Sequence, residues 1–214
     1  MEENFLVEPQ QARSQETMNN ILDAAAHILD RKTFEELTVA EVVAEAGTSV
    51  GAFYGRFKDK DALLQALDER FFDEFGKEVE VLLVSLKIKG KPLSTIVYEI
   101  CTFVVEAYSR QKGVLRSLNL KGRLSYDVRY LEREKYAWDT FFPGLIHIFL
   151  GFKDQIRHPE PNLAIRLGFR QLFYTMREIT LWQPLPGEPV YENEVLVREL
   201  TRSYLSYLGI EQYE

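Results

Sequence analysis

The residues best placed to do chemistry lie between Thr38 and Lys60, in the run TVAEVVAEAGTSVGAFYGRFKDK. The chemistry they suggest is recognition of a polyanion, not bond breaking. From Gly47 to Lys60 the cations Arg56, Lys58 and Lys60 stand against a single anion, Asp59, on a chain whose net charge is −7. A locally positive segment attracts phosphate, while carboxylates elsewhere keep the rest of the surface away from it. Affinity built this way depends on correct docking and falls with salt. Catalytic signatures are missing from the sequence. It has no Gly-x-Ser-x-Gly, no phosphate-cradling glycine loop, no dinucleotide fingerprint and no His-Glu-x-x-His. The three histidines, His27, His147 and His158, are scattered, and with Cys101 as the one cysteine they make no metal-ligand spacing. No cofactor, metal or enzymatic activity is expected.

Such a recognition segment must be held by short helices. Thr38 and Glu41 fit the Ser/Thr-x-x-Glu capping box, and Val39, Val42, Val43 and Ala46 follow at helical spacing. Gly47 falls where that helix ends, since glycine accepts the left-handed conformation of a sharp turn. Thr48 or Ser49 can cap a second helix, about Val50 to Arg56, with Phe53 and Phe57 on one side and Tyr54 and Arg56 pointing elsewhere. Two short helices around a glycine turn are the signature of a helix-turn-helix, whose second helix enters the DNA major groove.

The run from Gly51 to Leu64, GAFYGRFKDKDALL, is specific enough to resemble a known family, the TetR family of transcriptional regulators. Its pattern is small–small–apolar–Tyr–x–x–Phe–x–x–Lys–acidic–x–Leu, preceded by a Thr-x-x-x-Val/Ile-Ala helix and a glycine. Tyr54, Phe57, Lys60, Leu63, Thr38, Val42, Ala44 and Gly47 fall in the matching places. The resemblance covers Thr17 to Leu64 and beyond that rests on length and helical pattern. It implies DNA contacts position by position. Thr38 and Thr48 lie at helix starts, where hydroxyls and amides meet phosphates. Ser49, Val50, Gly51 and Ala52 fall where the recognition helix approaches base edges. Tyr54 and Lys60 match phosphate contacts, and Arg56 reaches a phosphate or a guanine edge. Val50, Gly51, Ala52 and Gly55 offer only apolar contact or close backbone approach, so specificity rests on Ser49, Arg56 and DNA shape.

Helices follow for the rest of the chain. Residues 1–16 read as a mobile polar tail, with Arg13 alone against Glu2, Glu3, Glu8 and Glu16. Helix one starts near Thr17 with the stripe Met18, Ile21, Leu22, Ala25, Ile28 and Leu29. A fourth helix starts at Asp59 as N-cap and runs towards Leu86, and a fifth spans about Leu93 to Ser109. A short helix from Val114 to Leu120 precedes a looser segment at Gly122. An aromatic-rich helix, Tyr126 to Phe142, ends at Pro143, which can open a new helix or kink the old one. Helices over Asn162–Trp182 and Glu192–Leu208 form a terminal hairpin. The fold class is therefore all-α, with about nine helices by periodicity. Residues 17–63 form the helix-turn-helix DNA-binding domain and 64–214 a helical domain.

By the same resemblance the second domain binds an effector and dimerises through its last two helices. Phe103, Tyr108, Tyr136, Trp138, Phe142, His147 and Tyr174 lie in the effector region, where a small hydrophobic or aromatic molecule fits, and Arg123 and Arg129 leave an anionic one open. The ordinary reading of any one aromatic is core packing. His27 reads as structural and Cys101 as an inert core residue. The implied function is a ligand-responsive repressor that binds double-stranded operator DNA as a homodimer. An activator or ligand-independent regulator shares the same residues. So does a small-molecule or lipid-binding protein without DNA binding. With 46% hydrophobic and 28% charged residues, no eighteen-residue apolar run and no basic, apolar leader, the chain is expected in the cytoplasm and off the membrane.

Overall fold

Capping and apolar periodicity build helices throughout. The computed structural model describes residues 9–210 apart from 88, 89, 126, 127, 183 and 185. Within them lie ten α-helices, one 3-10 turn at Lys153–Gln155 and no strand. In order they are α1 (Pro9–Leu29), α2 (Val39–Glu45), α3 (Val50–Tyr54), α4 (Lys60–Leu86) and α5 (Leu93–Arg110). Then come α6 (Lys112–Ser125), α7 (Val128–Thr140), α8 (Phe142–Leu150), α9 (Pro161–Leu181) and α10 (Asn193–Tyr207).

Three boundaries differ from the sequence reading. α1 starts at Pro9, so residues 9–16 are helical instead of a tail. Proline suits a first helical turn, where its missing N–H has no helical partner to lose. α6 runs through the buried Gly122 to Ser125. A mid-helix glycine costs about 1 kcal/mol relative to alanine, an amount burial of the helix face can offset. Pro143 opens a separate helix, α8, which makes the tenth.

The chain folds as two units. The head unit takes the chain up to Phe71 together with Gly113–Leu120. Its core is Ile21, Leu22, Ala25, Ile28, Leu29, Leu37, Val42, Phe53, Phe57, Leu63 and Leu64, all nearly inaccessible. The Gly113–Leu120 stretch docks on the end of α1: the Gly113 amide donates to Asp30 Oδ1 at 3.1 Å, and Arg116 Nη2 donates to the Leu29 carbonyl at 3.0 Å. A helix leaves its last carbonyls without intrahelical donors, and Arg116 supplies one. The domain boundary read from sequence, after residue 63, ignores this stretch. Its partner Asp30, just past the end of α1, is 83 residues away and leaves no local pattern.

The second unit comprises Phe72–Lys112 and Lys121–Glu214. α5 is its centre, packed against α9 and α10. Ile96, Val97, Ile100, Val104 and Val105 of α5 meet Ile165, Phe169, Met176 and Leu205 in a fully buried core. Gly168 lets α10 come close: an added Cβ would lie 2.6 Å from the Tyr207 ring and 2.8 Å from Tyr204. The Tyr204 hydroxyl donates to the Ile165 carbonyl at 3.1 Å, and burial raises its pKa. Cys101 is fully buried, and desolvation pushes its thiol up to about 12, so it is held as an unreactive thiol.

Candidate nucleic-acid interface

The site is built from α2, a glycine turn and α3. Thr38 is the N-cap of α2; its Oγ1 accepts from the Glu41 amide at 3.3 Å, and Glu41 Oε2 accepts from the Thr38 amide at 3.2 Å. That is the capping box in both directions. Lys32 bonds the other oxygen of Glu41. Hydrogen bonds from Lys32 and then Thr38 hold the Glu41 carboxyl down at about 2. A depressed carboxylate pKa contributes stability above the unfolded value of 4.5 and loses it as pH falls towards 2. Nuclear magnetic resonance titration should therefore find Glu41 ionised at pH 3.5, with α2 amide shifts changing only below that; a midpoint near 4.5 would contradict the box.

The turn follows. Gly47 has φ of 62°, the left-handed region, and the Thr48 amide reaches back to the Val43 carbonyl at 2.9 Å. Ser49 then caps α3, its Oγ accepting from the Ala52 amide at 3.1 Å. α3 has five residues, too few to stand on propensity alone. Phe53, with no accessible surface, anchors it, its ring 5.3 Å from Tyr54 and 5.4 Å from Phe57. Burying that one face leaves Ser49, Val50, Gly51 and Tyr54 on the other; Val50 is 48% and Tyr54 55% exposed. A valine and a tyrosine this exposed on a short helix, with a glycine between them, form a surface that backbone and bases can approach closely. Thr38 is exposed, and Thr48 and Ala52 are half-buried.

The cations divide unexpectedly. Lys60 Nζ donates to the carbonyls of Phe34, Glu35 and Leu37 at 3.2, 3.3 and 2.7 Å, and lies 5.2 Å over the Phe34 ring. Its three donors thereby close the loop between α1 and α2. Arg56 is likewise held by main-chain and serine oxygens. Lys58 is the exposed cation of the three, and sequence matching passed over it. Its only signal there was its charge. Elsewhere on the head, His27 Nδ1 and Arg31 share the Glu45 carboxylate and tie α1 to α2.

In the second unit several of the seven effector candidates pack on other rings. Trp138 stacks on Phe142 with centroids 3.5 Å apart and planes at 17°. Phe173, an aromatic not singled out from sequence, meets Trp138, Phe142 and Tyr108 edge-on at 5.5, 5.2 and 5.7 Å. Tyr174 lies 5.8 Å from Trp138. Phe103 packs apart from these, against Phe75 at 5.3 Å. Tyr136 is 60% exposed, and His147 is exposed in the last turn of α8. Edge and stacked geometries of this kind are what aromatics adopt when they pack on one another. An open cavity of about 630 Å³ is lined by Arg123, Tyr174, Thr175, Arg177, Glu178 and Ile179, so Tyr174 alone of the seven reaches it. Arg177 stands over the Tyr174 ring at 4.8 Å, a contact no short sequence pattern announces. Tyr126 and the side chains of Arg129 and Tyr130 lie outside the described residues. Among the described residues no cluster of His, Cys, Asp and Glu could hold a metal ion, and no helix is long and apolar enough to cross a membrane.

A capped α2, a left-handed glycine turn and a short α3 with an exposed face define a helix-turn-helix protein of the DNA-binding class. Residues 21–67 match the model of the bacterial regulatory proteins of the tetR family. That match places the helix-turn-helix head in the TetR family of transcriptional regulators. It is 33% identical over 87 residues to the A-factor receptor protein of Streptomyces griseus, a match spanning 41% of this chain and 28% of that one. It is 23% identical over 189 residues to the probable HTH-type transcriptional regulator YttP of Bacillus subtilis, spanning 78% and 91%. The chain thus spans well under half the length of the first relative and most of the second. A solved transcriptional regulator from Rhodococcus shares the fold, with TM-score 0.65, 20% identity, and 92% of this chain and 96% of that one covered.

Proposed function

We propose that this protein is a ligand-responsive transcriptional repressor that reads a palindromic operator as a homodimer in the cytoplasm. The observation that carries the reading is the outward face of α3, where Ser49, Val50, Gly51 and Tyr54 are left exposed by a buried Phe53. Base edges meet Val50 and the Gly51 backbone, the Tyr54 hydroxyl meets a phosphate, and Lys58 adds charge outside that face.

Gly51→Ala separates function from fold. A Cβ there meets nothing closer than Ser49 Oγ at 3.8 Å, so the folded protein accepts it. Alanine also favours a helix over glycine, so stability should hold or rise by about 0.5 kcal/mol. Affinity for the operator should nevertheless fall about tenfold or more, because the methyl occupies the space the backbone needs against a base. Selection of the wild type from random duplexes should return a palindromic consensus that this variant binds weakly. Enrichment of no sequence, at low as well as physiological salt, would overturn the DNA-binding reading.

Dimerisation through α9 and α10 is supported by Leu163 and Leu167, 48% and 41% exposed on one face of α9. Leu167→Glu should convert a dimer to a monomer in sedimentation, and a wild type that sediments as a monomer would remove the paired-head mechanism. A small aromatic or hydrophobic effector, carrying an anionic group for Arg123 and Arg177, suits the second unit. Its binding lowers DNA affinity by the same coupling energy with which DNA lowers its own. α4 starts at Lys60 in the head and continues past Phe72, so it is the element proposed to carry the change.

A further inference from the structure

Arg56 spans two helices that are distant in sequence. Its Nη1 donates to the Ala52 carbonyl of α3 at 2.8 Å. Its Nε and Nη2 reach the Ser14 carbonyl of α1 at 3.4 and 3.2 Å, and Nη2 also reaches Ser14 Oγ at 3.2 Å. The side chain is half-buried. A guanidinium presents its donors in a rigid plane, so a fork closed on two helices holds their separation and angle together. Ala52 lies in the last turn of α3, where carbonyls lack helical donors. Ser14 belongs to the part of α1 that the sequence presents as a tail.

From this geometry we infer that Arg56 is a positioning residue, not a DNA contact: it pins the recognition helix α3 to the first turns of α1, so that residues 9–16 set the angle at which α3 is presented. The consequence for DNA rests on the function proposed above; the pin itself does not. A short helix with one aromatic anchor can pivot about that anchor, and Phe53 supplies only one point of fixation. Arg56 supplies the second, on the side of α3 that faces α1. The N-terminal segment thereby contributes to recognition through the Ser14 contact.

The test uses the full chain, Arg56→Ala, Arg56→Lys and a deletion of residues 1–14. Lysine keeps the charge but has no fork to close on Ser14 and Ala52 together. Hydrogen exchange at the Phe53, Gly55 and Arg56 amides, whose acceptors lie in or beside α3, reads the pin without DNA. All three variants should exchange faster there than the wild type, while amides in the second unit stay unchanged. Binding to the selected duplex should fall about tenfold in Arg56→Ala and Arg56→Lys alike, with the slope of log affinity against log salt unchanged. The substitution should also cost less in the deletion background than in the full chain. The inference is overturned if α3 exchange is unaltered in Arg56→Ala. It is also overturned if the salt slope drops by about one unit per head and Arg56→Lys restores it, the behaviour of a phosphate contact. A wild type that selects no duplex counts against the proposed function, while the exchange measurement still decides the pin.

Discussion

Gly113→Ala should unseat α6 from α1 and destabilise the head by about 3 kcal/mol or more. The reason is distance. A Cβ built on Gly113 would lie 2.4 Å from the Leu29 carbonyl carbon and oxygen and 2.5 Å from the Asp30 nitrogen. These are backbone atoms at the end of a helix, and no rotamer change moves them. α6 must back away, and in doing so it surrenders the amide bond from Gly113 to Asp30 and the bond from Arg116 to the Leu29 carbonyl. Both involve a charged group, and such bonds contribute more than neutral ones. Ser117, which donates to the Gly113 carbonyl at 2.8 Å, is buried with them. Urea unfolding followed through head-unit amides should show the loss, and Asp30→Ala, which removes one bond and leaves the close approach intact, should cost about 1 kcal/mol. A Gly113→Ala protein with the wild-type midpoint would mean that α6 does not rest on α1 as the structure has it.

Phe53→Ala is the second large effect, expected at about 3–5 kcal/mol. Phe53 has no accessible surface, and Tyr54 and Phe57 pack on it at 5.3 and 5.4 Å. Removing its ring deletes the buried apolar area and leaves a cavity that the surrounding helices fill only in part. The effect is larger in function than in helix content. α3 is five residues long and depends on tertiary packing for its existence, so loss of the anchor should abolish sequence-specific binding even where α1 and α4 remain helical. Phe53→Leu, which keeps most of the volume, should cost less and retain measurable binding. Full operator affinity in Phe53→Ala would show that α3 is held by something other than its core face. Because the chain divides into two compact units, the loss is best followed with probes placed in the head.

The helix-turn-helix was legible in the residues because its determinants are local. The capping box links Thr38 to Glu41, the Ser49 cap reaches Ala52, and Gly47 takes a positive φ that few residue types accept. Each spans three residues or sits at one. Helix periodicity likewise placed α4, α5, α9 and α10 to within a residue or two of where they lie. Side-chain partners were a different matter. Arg56 and Lys60 are cations at positions where the family resemblance implies DNA contacts, and nothing near them in sequence shows that main-chain carbonyls occupy both. Arg56 and Ser14 are 42 residues apart, and Gly113 and Asp30 are 83 apart. The aromatic residues of the second unit were equally ambiguous, since a ring that lines a ligand pocket and a ring that packs on another ring look the same in a helical stripe.

The sequence by itself determined most of the helices, where the recognition turn falls and that the turn belongs to a DNA-binding head. Tertiary structure alone decided that residues 9–16 are part of α1, that the start of α6 joins the head, and which cation is left exposed to solvent. Caps, turns and periodicity are satisfied within one or two helical turns, so a short stretch of chain encodes them completely. A hydrogen bond between distant helices depends on the packing that brings them together, and that packing is a property of the whole core.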